Sequence, residues 1–206
     1  SASSPILPLA FEEQAHGVAS ALGAGRPVAA ERIAALRRHA LATTEADRLA
    51  LIDEMDRLVR YLHRPSTDES GASGLAKAFL ANDAHADLCA RRLERGLSSA
   101  PAHHEEARSL LNRVHEARDV RNRRFGDLLA QDYQRALYAH GLVALQNLTR
   151  DVVVPRMAEP GCGRVFLLVL DGCSVPVFLD LLDQLQQPAH KIGLEGGPGL
   201  RLRLHT

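Results

Sequence analysis

Tryptophan is absent from the 206-residue chain, and aromatic residues make up only 4% of it. A core of stacked large rings is thereby excluded, so Leu, Ala and Val must supply the buried surface. Cysteine is scarce too: Cys89, Cys162 and Cys173 are odd in number, and none stands in C-x-x-C spacing. That pattern argues against a disulfide framework and a cysteine zinc site, and a reducing, cytoplasmic compartment is expected. Net charge is missing, since Lys+Arg and Asp+Glu are each 25. No global field therefore draws the chain to nucleic acid or to an acidic bilayer, although local patches remain open. No run reaches the roughly 18 apolar residues of a membrane span, and SASSPILPLA lacks the charged start and long apolar stretch of a signal peptide. No membrane partner is expected.

What is present is a globular composition, 46% hydrophobic and 24% charged, long enough for one domain or two small ones. From residue 9 to about 150 the pattern is helical, broken at GAGRP (23–27), HRPSTDESGASG (63–74) and GLSSAP (96–101). The clearest helix follows Thr44, whose hydroxyl is placed to cap it with Asp47 three residues on. Leu49, Ile52, Met55, Val59 and Leu62 then recur at steps of three and four, which puts them on one face that must be buried. A second long segment starts after Pro101, carries Leu111, Val114 and Ala117, and continues or restarts through Phe125, Leu129, Tyr133 and Ala136. The stretch 63–74 is the best linker candidate, expected to join two antiparallel helices. No repeat of fixed period stands out.

Near residue 155 the character changes. VVVPRMAEPGCGR supplies Pro and Gly punctuation, and Val165 to Leu170 is an unbroken apolar run. Such a run predicts a strand buried on both faces, as in parallel sheets covered by helices, because a strand with one wet face would alternate. Ser174 to Gln186 reads as the next helix, with Ser174 as its N-cap, Pro176 in its first turn and Phe178, Leu181, Leu182 and Leu185 as its buried stripe. KIGLEGGPGLRLRLHT then has the alternation and glycines of a short strand or hairpin. The expectation is a mostly α N-terminal helical region, residues 1–150, followed by the start of an α/β domain, residues 151–206. The chain begins without Met and ends in LRLRLHT, so a piece of a larger protein is expected.

Asp171 ends the apolar run at the carboxyl end of the predicted strand, where open parallel sheets place ligands. An ionised carboxylate there is costly unless it meets a cation, an Arg or backbone donors, and a divalent metal is the simplest partner. Gly172 would let backbone approach closely, and the amides opening the next helix, near Ser174, would suit phosphate. The plainer alternative is that Asp171 and Gly172 form a common turn and the carboxylate caps the helix. Cys173 and Ser174 are the only nearby nucleophile types. Ser174 is better used as a cap, and Cys173 has no neighbouring His or Lys to activate it.

RVFLLVLDGCSVPVFLDLLDQL, within residues 150 to 190, resembles the first strand and helix of PglZ-type proteins, a branch of the alkaline phosphatase superfamily associated with BREX phage-defence systems. In that superfamily an Asp ending the first core strand ligates one of two divalent metals, zinc or similar, and Asp171 matches that position. The resemblance further implies a downstream Ser or Thr nucleophile and further Asp and His ligands for phosphoester hydrolysis on a two-metal site. Residues 1–206 would then hold no complete active site, and their catalytic residues are unknown. Haloacid-dehalogenase phosphatases also begin with an apolar strand and Asp, but need a second Asp where this chain has Cys173. The rival expectation is a non-catalytic helical interaction module that docks partner subunits of a defence complex.

HEARDVRNRRF (115–125) contains Arg118, Arg121, Arg123 and Arg124, a cluster able to face nucleic-acid phosphates, although a solvated helix face reads equally well. Glu116 and Asp119 dilute its charge, and no aromatic residues interleave for base stacking. In AHHEEA (102–107), His103 and His104 stand beside Glu105 and Glu106, but adjacent helical residues diverge and make poor joint ligands. A helix N-terminus explains the two acids without metal. His85 and His115 read as surface residues.

Overall fold

The structure, a computed structural model, describes residues 5–64, 71–99, 102–131, 133–134, 143, 145–161, 164–165, 167 and 169–186. Among them the chain is mostly helical. In order come α1 (Pro8–Gly23), α2 (Ala30–Arg37), α3 (Ala46–Leu62), α4 (Gly71–Ala78), a π-helical turn (Phe79–Asp83), α5 (Ala84–Ser99) and α6 (His104–Gln131). Short turns at Leu145–Asn147 and Thr149–Val153 follow, then α7 (Val154–Met157) and α8 (Val175–Gln186). No helix of the described residues is long and apolar enough to cross a membrane.

The chain forms two compact units, 1–67 with 81–122, and 68–80 with 123–206. The division by composition at residue 150 thus differs from the division by packing, which falls inside α6.

The first unit owes its core to helical periodicity. Phe11, Ala15, Val18 and Leu22 line one face of α1, Ile33 and Leu36 that of α2, and Leu110, Leu111 and Val114 that of α6; all are buried in one cluster. In α3 the predicted stripe of Leu49, Ile52, Met55 and Val59 is buried, with Leu62 packed partly against it. Leu51 and Leu58, on a second face of α3, are buried in the same cluster, which makes α3 the central helix. Each fully buried Leu, Ile or Phe contributes roughly 1.5–3 kcal/mol, and a core made mostly of aliphatic side chains reaches its stability through their number.

Helix ends follow local chemistry at GAGRP. Pro8 opens α1, where its missing N–H costs nothing. At the other end Gly25 has φ +73°, its N–H donates to the Leu22 carbonyl at 2.8 Å, and the Arg26 N–H donates to the Ala21 carbonyl at 2.9 Å. This is a Schellman motif with the glycine at its left-handed position. At α3 the expected Thr44 cap is replaced: Glu45 occupies the capping position and makes no side-chain cap bond. The reason is a preceding turn, in which the Glu45 N–H donates to the Leu41 carbonyl, that carries the chain straight into the helix. The break expected at GLSSAP comes late, because α5 continues to Ser99 with the Ser98 hydroxyl donating to the Arg95 carbonyl at 2.7 Å. The 63–74 break is present at its start, where α3 ends at Leu62, and α4 already begins at Gly71; residues 65–70 lie outside the described residues.

In the second unit no strand occurs among the described residues. Leu167, Val169 and Leu170 are exposed, by 51%, 71% and 42%, so the doubly buried strand expected at 165–170 is not found in them. An extended segment is held only by neighbours that take its backbone hydrogen bonds, and the described residues offer it no paired strand. The second strand expected within 191–206 lies outside them. The helix expected from Ser174 is present as α8, with Phe178 and Leu182 half-buried and Leu181 39% exposed.

Candidate functional sites

Two polar clusters interrupt the apolar faces of the first unit, and a turn in the second carries Asp171. The first cluster is built by α6 and the π-helical turn. Arg118 is buried, with its Nη1 2.7 Å from Asp83 Oδ2, its Nε 2.9 Å from Asp87 Oδ1 and its Nη2 3.3 Å from Asp87 Oδ2. Arg121, one turn on, donates to Asp83 Oδ1 and to the Tyr61 hydroxyl at 3.0 Å, and its guanidinium lies 5.2 Å from the Tyr61 ring centre. Burial works against charge on Arg118, but the hydrogen bonds and charge of Asp87 and the charge of Asp83 outweigh it, and its pKa is raised. Burial and the Asp83 charge push the Tyr61 hydroxyl up, so it stays protonated. This network ties α6 to α3 and α5.

Of the arginines expected to face nucleic acid, Arg118 is buried on Asp83 and Asp87, and Arg121 bonds Asp83 and Tyr61 while its side chain stays 37% exposed. Arg123 and Arg124 are exposed and belong to the second unit.

The second cluster centres on Arg48 of α3, whose side chain is 9% exposed. Its Nη1 reaches both Glu12 oxygens at 2.8 Å, its Nε donates to His103 Nε2 at 2.9 Å, and its guanidinium stands 5.6 Å from the Phe11 ring centre. The Phe11 ring also lies 5.1 Å from the buried His39 ring. His103 precedes α6 with φ +71°, an uncommon conformation for a residue other than glycine. From there its ring turns toward α1, 6.1 Å from the His16 ring, while His104 reaches back to the Leu97 carbonyl.

His16, His103 and Glu106 thus offer three ligand-type atoms within 4.8 Å of one another. Reading AHHEEA as adjacent helical residues missed this, because His103 lies outside the helix. The chemistry of the set nevertheless does not suit a cation. His103 Nε2 already accepts from Arg48, so the neutral ring carries its proton on Nδ1, and neither nitrogen has a lone pair to give. A cation would also sit beside a buried guanidinium. Burial first, and then the Arg48 charge, hold His103 below its ordinary pKa.

In the second unit Asp171 and Gly172 form a turn immediately before α8. Gly172 has φ +68°, and a Cβ there would meet nothing within 4 Å. The glycine suits this position by its backbone conformation, which residues with a Cβ rarely adopt. Asp171 is exposed, which removes the desolvation cost that a buried strand end would have imposed. Ser174 directly precedes α8, and its carbonyl accepts from the Phe178 N–H at 3.0 Å. Among the described residues, Asp171 belongs to no group of three ligand-type side chains.

No protein family, curated protein or solved structure matches the chain. The residues must then speak for themselves. Those that sequence reading missed, Arg48, Glu12, His16, Asp83, Asp87 and Tyr61, had one usable signal. Arg48 stands four and seven residues before Ile52 and Met55, and Arg118 four and seven after Val114 and Leu111. A charge in register with an apolar stripe must be buried with a partner.

Proposed function

We propose that the chain joins a helical scaffold to the opening of a PglZ-like, metal-dependent phosphatase or phosphodiesterase domain acting in phage defence, in a reducing, cytoplasmic setting. In this reading the 165–170 run is the first core strand of an α/β domain, Asp171 is a metal ligand, and Gly172 and Ser174 border the phosphate. The observation that carries it is the Asp171–Gly172 turn: a carboxylate in water, at a positive-φ glycine, directly ahead of the α8 N-terminus. Asp171 fits a divalent cation in kind, as an exposed oxygen donor. It is one ligand of a site whose other ligands and nucleophile the resemblance expects C-terminal to it. A metal pair would supply Lewis-acid activation of the phosphoryl group, with Asp171 among the residues that would hold it and Gly172 and Ser174 beside the phosphate.

The first unit supports a scaffold role by its closed core and internally paired charges. A second reading, a docking module without catalysis, is favoured by Ile6, Leu7 and Leu9, exposed by 70%, 59% and 71% at the start of α1. The two separate in a polypeptide that carries the complete phosphatase domain. On the enzyme reading, Asp171→Asn lowers phosphodiesterase turnover by orders of magnitude; unchanged turnover rules out the ligand role. On the docking reading, removing residues 1–150 abolishes assembly with partner subunits, and intact assembly rules that out.

A further inference from the structure

The Arg48–His103 pair is a joint between three helices. Arg48 belongs to α3, Glu12 and Phe11 to α1, and His103 is the residue from which α6 starts, its carbonyl accepting the Ala107 N–H at 3.0 Å. The joint works only while His103 Nε2 is unprotonated, because it accepts an N–H that Arg48 cannot withdraw without leaving Glu12. Protonation would turn that acceptor into a donor and set imidazolium against guanidinium at 2.9 Å.

We propose that His103 is an acid-sensitive latch that holds the first turn of α6 against α1 and α3 at neutral pH and releases it on protonation. The groups facing it are Arg48 from α3, Glu12 and His16 from α1, and Glu106 from α6. Glu45 also lies near Arg48, at 3.9 Å. The carboxylates favour protonation of His103, while Arg48, His16 and burial oppose it, and the opposition prevails. The +71° φ of His103 adds a local conformational cost that the bond to Arg48 offsets in the closed state, so loss of that bond favours a relaxed backbone.

The sign follows from linkage. With a lowered value in the folded state, the folded chain binds fewer protons than the unfolded one, so the His103 contribution is complete above about 6.5 and is lost as pH falls. The test is hydrogen exchange of the 206-residue chain, read as protection of the 107–112 amides relative to those of α3, at pH 7.5 and at pH 5. The latch predicts that this ratio falls in the wild type. His103→Gln, which keeps an acceptor but does not titrate, should hold the ratio constant. An equal fall in the variant, or no fall in the wild type, overturns the proposal. A direct NMR titration of the His103 ring keeps the test open should the variant not fold: titration at or above the ordinary imidazole value overturns it. So does saturable micromolar binding of zinc ion, added alone at pH 7.5, that shifts the His16, His103 and Glu106 resonances together.

Discussion

Replacing Arg118 by Met keeps an unbranched apolar stem in place and removes the guanidinium from between Asp83 and Asp87. The Asp83 side chain is 5% exposed, so the change leaves a carboxylate in a site water scarcely reaches. Breaking a buried ion pair on one side costs about 3–5 kcal/mol. Two features of this site point to the low end of that range. Arg121 still donates to Asp83, and Asp87, whose side chain is 30% exposed, can turn to solvent. The expected loss is therefore about 3 kcal/mol, read as a shift in the urea midpoint followed by far-ultraviolet circular dichroism. Adding Asp83→Asn to Arg118→Met should restore part of the loss, because the orphaned charge is gone; the coupling in the double-mutant cycle should exceed about 1 kcal/mol. A single variant within about 0.5 kcal/mol of the wild type, or a strictly additive pair, would refute the view that this network is buried and internally compensated.

Gly23→Ala should destabilise the chain by about 1–3 kcal/mol, since a Cβ there would stand 2.7 Å from the Glu106 Cα in the α6 backbone. Gly126→Ala, with open space around it in the same helix, should stabilise by about 0.5–1 kcal/mol; equal effects of the two in thermal melts would contradict the close approach of α1 to α6. The Cys89 thiol, pushed up to about 12 by burial and by Glu54, should resist iodoacetamide at pH 8, and mass spectrometry showing it alkylated at the rate of a free thiol would contradict that. Thermal stability of the wild type should fall on acidification below about 6.5, and His103→Gln should remove the His103 share of that fall; coincident pH profiles would contradict the sign worked out for this residue.

Much of the first unit was legible in the sequence because its signals are local and repeated. The α3 stripe from Leu49 to Val59 and the stop at GAGRP each follow from spacing or from the conformational freedom of one glycine. Capping at Thr44 was misread because a turn reaching back to Leu41 carries the chain past Thr44 and leaves Glu45 as the residue that precedes the helix. The polar clusters were hidden for a different reason: Arg48 and Glu12 are 36 residues apart, and Arg118 and Asp83 are 35 apart. Their pairing is a product of tertiary packing, which no short motif encodes. The arginines of HEARDVRNRRF looked alike in sequence, and the fold separates them, burying Arg118 and leaving Arg123 and Arg124 in water. The apolar run 165–170 shows the limit of periodicity, for an unbroken run states what a strand would bury and not what it pairs with. At the candidate metal site the sequence singled out Asp171, and the structure adds the turn and the helix behind it.

The central claim is that Asp171 ligates a metal. Its most direct test is the metal content, by inductively coupled plasma mass spectrometry, of the Asp171→Asn variant of a polypeptide carrying the complete domain, compared with the wild type purified alongside. A ligand at one of two metal positions predicts the loss of about one divalent ion per chain with unchanged helical content. An unchanged metal content in a folded variant would contradict the claim and leave Asp171 as the first residue of a turn.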